Sequence, residues 1–177
     1  DAPLEPRIAY SRQKLEAENR LHSLLNNSDS AISSCTIVRI TRTINAELPP
    51  FFEWIKHLQA GLSIEAFDDF IFAPMTLSFV SQALLKIGLS PHNGIFHLSG
   101  TDISYYDFAK ELANAMNTSG KVVRTSSIAK EVTLYFRPRY SALGMRRTTQ
   151  LLGIERQSST EVVADILNNH SSIRYAY

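Results

Sequence analysis

At 177 residues and 19.9 kDa the chain is long enough for one domain with its own core. Its charged fraction is 20% and its formal net charge +1, a balance that speaks against nucleic acid or an anionic membrane surface as partner. Apolar runs are short and broken by charge, which speaks against a membrane span; Cys35 stands alone, so no internal disulfide can form and a reducing cytoplasm is the expected home.

Asp1-Ala2-Pro3-Leu4-Glu5-Pro6 reads as a loop leading into a helix, and a chain opening there is expected to be part of something longer. Leu15, Leu21, Leu24 and Leu25 give an apolar stripe that predicts a helix over residues 10–27. Residues 35–41 are β-branched and short, as a buried strand is. Pro49-Pro50 can open the next helix, with Phe51, Phe52, Ile55 and Leu58 inward and Gly61 closing it. Residues 62–67 read as a short strand, 68–75 as a loop, and 76–87 as a helix ended by Gly88. A turn cluster at 90–94 feeds a strand over 95–98. Ser104 and Asp107 have the spacing of a capping box for a helix carrying Phe108, Ala109, Leu112 and Met116. Residues 121–125 predict one more strand, and 148–152 and 160–167 predict short terminal helices. Strands alternating with helices define an α/β chain with a parallel sheet.

Seven glycines are present, with no G-x-G-x-x-G or G-x-x-G-x-x-G run among them. The turn that brings backbone N–H groups against a pyrophosphate is therefore not within these residues.

Tyr10-Ser11-Arg12-Gln13-Lys14 is a Tyr-x-x-x-Lys arrangement. On a helix, positions i and i+4 share a face, so phenol and ammonium can both enter one cleft. A phenol is a poor proton donor at neutral pH unless a cation stabilises its phenolate, and the spacing supplies that cation. The spacing is weak on its own: Tyr106-Asp107-Phe108-Ala109-Lys110 repeats it, and chance produces one match in about every four such chains. Tyr106 and Lys110 are read as a half-buried helix position with a solvated lysine.

Five further segments occur in a set order. After the Tyr10 helix comes the strand Thr36-Ile37-Val38-Arg39-Ile40, then Phe67-Asp68-Asp69-Phe70-Ile71-Phe72-Ala73-Pro74-Met75-Thr76. Gly94-Ile95-Phe96-His97-Leu98-Ser99-Gly100 and Ser104-Tyr105-Tyr106-Asp107-Phe108-Ala109 follow, and then Arg137-Pro138-Arg139-Tyr140-Ser141-Ala142-Leu143 with Leu151-Leu152-Gly153-Ile154. In this order they resemble the C-terminal part of extended short-chain dehydrogenase/reductases, in particular the substrate-binding half of dTDP-4-dehydrorhamnose reductases. The regulatory subunit of methionine adenosyltransferase has a similar half. The resemblance implies the end of a Rossmann-type parallel sheet over residues 1–42. It implies a smaller α/β substrate-binding region over 43–177, with strand 94–98 able to return to the main sheet.

The resemblance further implies an NAD(P)H-dependent reductase or epimerase of a 4-keto nucleotide sugar. Tyr10 and Lys14 would be catalytic, and would hold the NADP or NAD together with Arg39. Arg42, Pro74, Thr76 and Arg137 would bind the nucleotide sugar, Arg137 through a fork suited to a diphosphate. The alternative is a non-catalytic nucleotide- or partner-binding regulatory module of the same fold. Two residues depart from the reductase pattern: Arg42 stands where an aromatic residue is usual, and Gly144 where an aspartate or asparagine is. A homodimer is implied by analogy. His97 is read as a packed strand residue and Trp54 as core or interface. No His, Cys and carboxylate cluster has metal-ligand spacing, so no catalytic metal is expected.

Overall fold

Three of the four strand pairs run parallel in the computed structural model, which describes residues 8–25, 35–128 and 140–173. Helix α1 (Ala9–Leu25) precedes β1 (Thr36–Ile40) and β2 (Arg42–Ile44), and α2 (Phe51–Gln59) follows. Then come β3 (Ile64–Phe67), β4 (Ile71–Phe72), β5 (Pro74–Thr76), α3 (Leu77–Gly88) and β6 (Gly94–Leu98). The rest is β7 (Ile103–Ser104), α4 (Tyr105–Ala115), β8 (Val122–Thr125), α5 (Arg146–Leu152) and α6 (Ser159–Ile173). β1 pairs with β6, β2 with β5 and β3 with β8, all parallel, while β4 and β7 are antiparallel. The expected α/β class with parallel strands is what the structure shows.

Local chemistry explains where the helices start. The Ser104 hydroxyl accepts from the Asp107 backbone N–H at 3.0 Å and donates to the Asp107 carboxylate at 2.6 Å, which fixes the first turn of α4. The Thr76 hydroxyl accepts from Phe79 N–H and caps α3 in the same way. The inward set of α2 needs correcting: Phe52 is 42% exposed and Trp54 takes its place. Phe51, Trp54, Ile55 and Leu58 form the i, i+3, i+4, i+7 stripe, and Phe52 lies about 100° off it. Residues 68–75, expected as loop, contain β4 and most of β5, which are too short to show a period of two.

The buried side chains fall into two cores. One gathers Ile44, Phe51, Trp54, Ile55, Leu58, Phe72, Tyr105, Phe108, Leu112 and Val162 among others. The other gathers Met75, Val80, Ala83, Ile87, Phe96, Leu98, Met145, Leu152 and Ile154, with Val38 packed against it. The β2–β5 ladder stands between them. Its alternation turns Ile44 toward the first core and Met75, one step off in register, toward the second.

A second seam joins the two halves through polar groups. The Gln157 side-chain carbonyl accepts from Thr76 N–H at 2.9 Å, and its amide donates to the Thr76 hydroxyl at 3.2 Å. The Gln157 backbone carbonyl accepts from Thr101 N–H, and Gly100 bridges to Gln157 in parallel. Gly100 packs so closely on the Pro74 backbone that no side chain fits there.

Candidate functional site

Tyr10 lies in the first turn of α1, 64% exposed, and its hydroxyl makes no hydrogen bond to a described residue. The Lys14 ammonium, one turn on, sits 5.4 Å from the Tyr10 ring centroid. Phenol and ammonium are therefore side by side on an open helix face. Tyr106 and Lys110 show the same 5.4 Å geometry. The surroundings separate the two pairs: Tyr106 packs against the first core and lies under the Arg124 guanidinium at 5.0 Å. Tyr10 meets no comparable packing among the described residues, as α1 contains no buried residue.

Arg39, near the end of β1, is turned to α1. Its Nε and Nη2 donate to the two carboxylate oxygens of Glu18 at 2.9 and 2.5 Å, both side chains being mostly buried. Arg39 hydrogen bonding holds the Glu18 carboxyl below its usual range, and the charges of Arg39, His22 and His97 add to that against the cost of burial. A lowered folded-state value stabilises above the unfolded value and is lost as pH falls through the folded one. We therefore expect the difference in denaturation midpoint between wild type and Glu18→Gln to be present at neutral pH. It should shrink below the ordinary glutamate value of 4.5.

The β2–β5 register places Arg42 opposite Pro74 and Ile44 opposite Thr76. Residues two apart share a face, so Arg42, Pro74 and Thr76 come together on one side of this ladder. Arg42 is exposed and lies close enough to Tyr105 to counter, by its charge, the rise that burial gives the phenol. Pro74 and Thr76 are buried, and the Thr76 hydroxyl is engaged by Phe79 and Gln157, so the two form floor rather than open surface. Beside them a cavity of about 210 Å³ opens among Ile44, Asn45, Thr76, Ser78, Asp165 and Asn169.

Arg137 lies outside the described residues, as does Arg139. The segment that follows them is held firmly. Asp102 accepts from the N–H groups of Ser141 and Ala142 at 2.8 and 2.7 Å, and the Ser99 hydroxyl accepts from Leu143 N–H at 3.1 Å. Arg156 donates to the Leu143 carbonyl, and His97 donates through Nδ1 to the Gly144 carbonyl. Sequence reasoning missed Glu18, Asp102 and Gln157. Only Glu18 carried a signal, four residues beyond Lys14 on the same helix face. Among the described residues no helix is long and apolar enough to cross a membrane.

Solved structures share this fold. The GalE-like L-threonine dehydrogenase of Cupriavidus necator superposes at TM-score 0.73 with 15% identity, over 96% of this chain and 64% of its own. The dTDP-4-dehydrorhamnose reductase of Clostridium acetobutylicum gives 0.72 and 23%, over 94% and 58%. That of Bacillus anthracis, in complex with NADP, gives 0.68 and 21%, over 95% and 56%. The chain thus spans somewhat over half the length of these proteins. The fold is that of nucleotide-sugar reductases and epimerases. More narrowly, the chain belongs to the RmlD substrate binding domain family, which matches residues 1–172. No curated protein matches it.

Proposed function

We propose that these residues are the substrate-binding part of an NAD(P)H-dependent reductase or epimerase of the short-chain dehydrogenase type, acting on a 4-keto nucleotide sugar. The observation that carries this reading is the Tyr10–Lys14 pair, exposed and side by side on the helix that feeds β1. A helix feeding a strand of a parallel sheet runs opposite to it. The Tyr10 end of α1 is then directed toward the carboxyl ends of β1 and β6, the edge where open α/β sheets bind ligands.

The residues present suit one end of a dinucleotide. Two adjacent exposed donors, the Tyr10 hydroxyl and the Lys14 ammonium, match the vicinal hydroxyls of a nicotinamide ribose, whereas no glycine-rich turn for the pyrophosphate occurs in the sequence. When bound, a nicotinamide supplies hydride. Tyr10 then donates a proton to the ketone oxygen, and Lys14 stabilises the phenolate left behind. Arg42 meets the sugar side, Pro74 and Thr76 form the floor, and Arg137 takes the diphosphate. The boundary after residue 42 rests on Thr41, whose N–H still bonds to the end of β6, whereas Ile44 already packs in the first core. We place the complete protein in the cytoplasm as a homodimer, with NADP or NAD as cofactor.

The direct test is fluorescence titration of the 177-residue chain with NADPH and with a dTDP-sugar. We expect retained dTDP-sugar binding, no measurable NADPH binding and no turnover. Failure to bind either ligand would favour the regulatory-module reading, which the non-aromatic Arg42 supports.

A further inference from the structure

We propose that Arg39 and Glu18 are positioning residues that set the orientation of the Tyr10–Lys14 face, with Arg39 acting through Glu18 rather than on the dinucleotide. The inference rests on the reading of Tyr10 and Lys14 given above.

Helix α1 is unlike the other long helices of the chain. α2, α3 and α4 each bury three or more side chains, while α1 buries none, and its Leu21 and Leu24 are 38% and 49% exposed. Among the described residues apolar packing therefore does little to fix its rotation or height over β1 and β6. The Glu18–Arg39 fork does what packing does elsewhere. Two parallel N–H···O bonds between planar groups restrain direction as well as distance, which a single lysine contact cannot do. The fork is also three-quarters or more withdrawn from water, so solvent competes weakly for it.

Its place on the helix gives it leverage. Tyr10, Lys14, Glu18 and His22 follow at four-residue steps, each turning by only about 40° on an ideal helix, so the anchor and the reactive pair share one stripe. From Glu18 back to Tyr10 is roughly 12 Å of rigid helix. A small rotation or slide at Glu18 is thus carried to the Tyr10 hydroxyl. On the strand side Arg39 is itself fixed, paired in register with His97 of β6, whose backbone N–H and carbonyl are both bonded by the buried Thr148 hydroxyl. Arg39 spends the Nε–Nη2 edge of its guanidinium on Glu18, so its direction is set by the carboxylate, and only the Nη1 side keeps donors to spare.

The experiment uses the natural full-length protein and the variants Glu18→Ala, Arg39→Ala and Arg39→Lys. We expect both alanine variants to lower kcat by a similar factor, on the order of 10²-fold, the penalty of an ångström-scale misplacement. Nicotinamide affinity should stay within about threefold, and Arg39→Lys, keeping charge but not the fork, should fall between. Amide hydrogen exchange supplies a second readout that needs no activity: protection in α1 should drop in both alanine variants while β1 and β6 keep theirs. A tenfold or greater loss of nicotinamide affinity in Arg39→Ala alone would overturn the proposal and make Arg39 a cofactor contact. Unchanged kcat in an active enzyme would overturn it as well. If the wild type reduces no nucleotide sugar, the exchange data decide: selective loss of α1 protection sustains the anchor, and unchanged protection sinks it.

Discussion

Replacing Tyr10 by Phe in the full-length protein is expected to lower ketone reduction by about 10²–10⁴-fold, the usual worth of a positioned proton donor. The substitution removes one oxygen and nothing else. That oxygen is on a residue 64% exposed and has no hydrogen-bond partner among the described residues, so no contact among these residues is lost with it. Thermal midpoint should be nearly unchanged, nicotinamide affinity should fall by no more than the roughly tenfold that one lost ribose hydrogen bond costs, and the main loss should appear in kcat. The natural control is Tyr106→Phe, which has the same lysine geometry but sits between the first core and Arg124. Turnover there should stay within a factor of a few. Equal losses at both tyrosines would remove the distinction between the two pairs, and an unchanged rate for Tyr10→Phe would take that residue out of the chemistry.

The largest expected effect on stability is at Gly100. A Cβ there would stand 1.9 Å from the Pro74 carbonyl oxygen, 2.8 Å from its carbon and 3.1 Å from its nitrogen. All three are backbone atoms of a buried strand residue, so no side chain can swing aside to make room. Gly100→Ala must therefore push β5 away from the Gly100–Gln157 bridge, and we expect a loss of about 4 kcal/mol or more, or failure to fold. Chemical denaturation measures this, with Gly88→Ala as the comparison. Gly88 ends α3 with nothing within 4 Å of an added Cβ, so alanine there should be neutral or stabilising by up to about 1 kcal/mol. A Gly100→Ala protein as stable as wild type would mean that the close approach is not rigid.

What the sequence made legible were the features carried by neighbouring residues. The Ser104–Asp107 spacing announced the α4 cap, and the alternation of apolar runs the α/β order. β4 and β5 stayed hidden because two or three residues cannot display a period. Phe52 was misread because an aromatic next to the stripe looks like part of it until the helix phase is known. At the site, the Tyr10–Lys14 spacing could be read directly. The grouping of Arg42, Pro74 and Thr76 on one ladder face depends on the register between strands some thirty residues apart, which local pattern does not encode. The same holds for the Glu18–Arg39 fork and for Gln157, which reaches back eighty-one residues to Thr76.

The two separate cores bear on how the chain responds to what it binds. Each core is its own pool of buried apolar contacts, so each half can open at its own free-energy cost, with the three-residue β2–β5 ladder and the Gln157 seam joining them. Arg42, Pro74 and Thr76 all lie on that joint. A ligand resting on them is shared by both folding units, and mass action then makes opening of either one cost its release. Occupancy would in this way turn two loosely coupled units into one cooperative body, sharpening the unfolding transition as well as raising its midpoint.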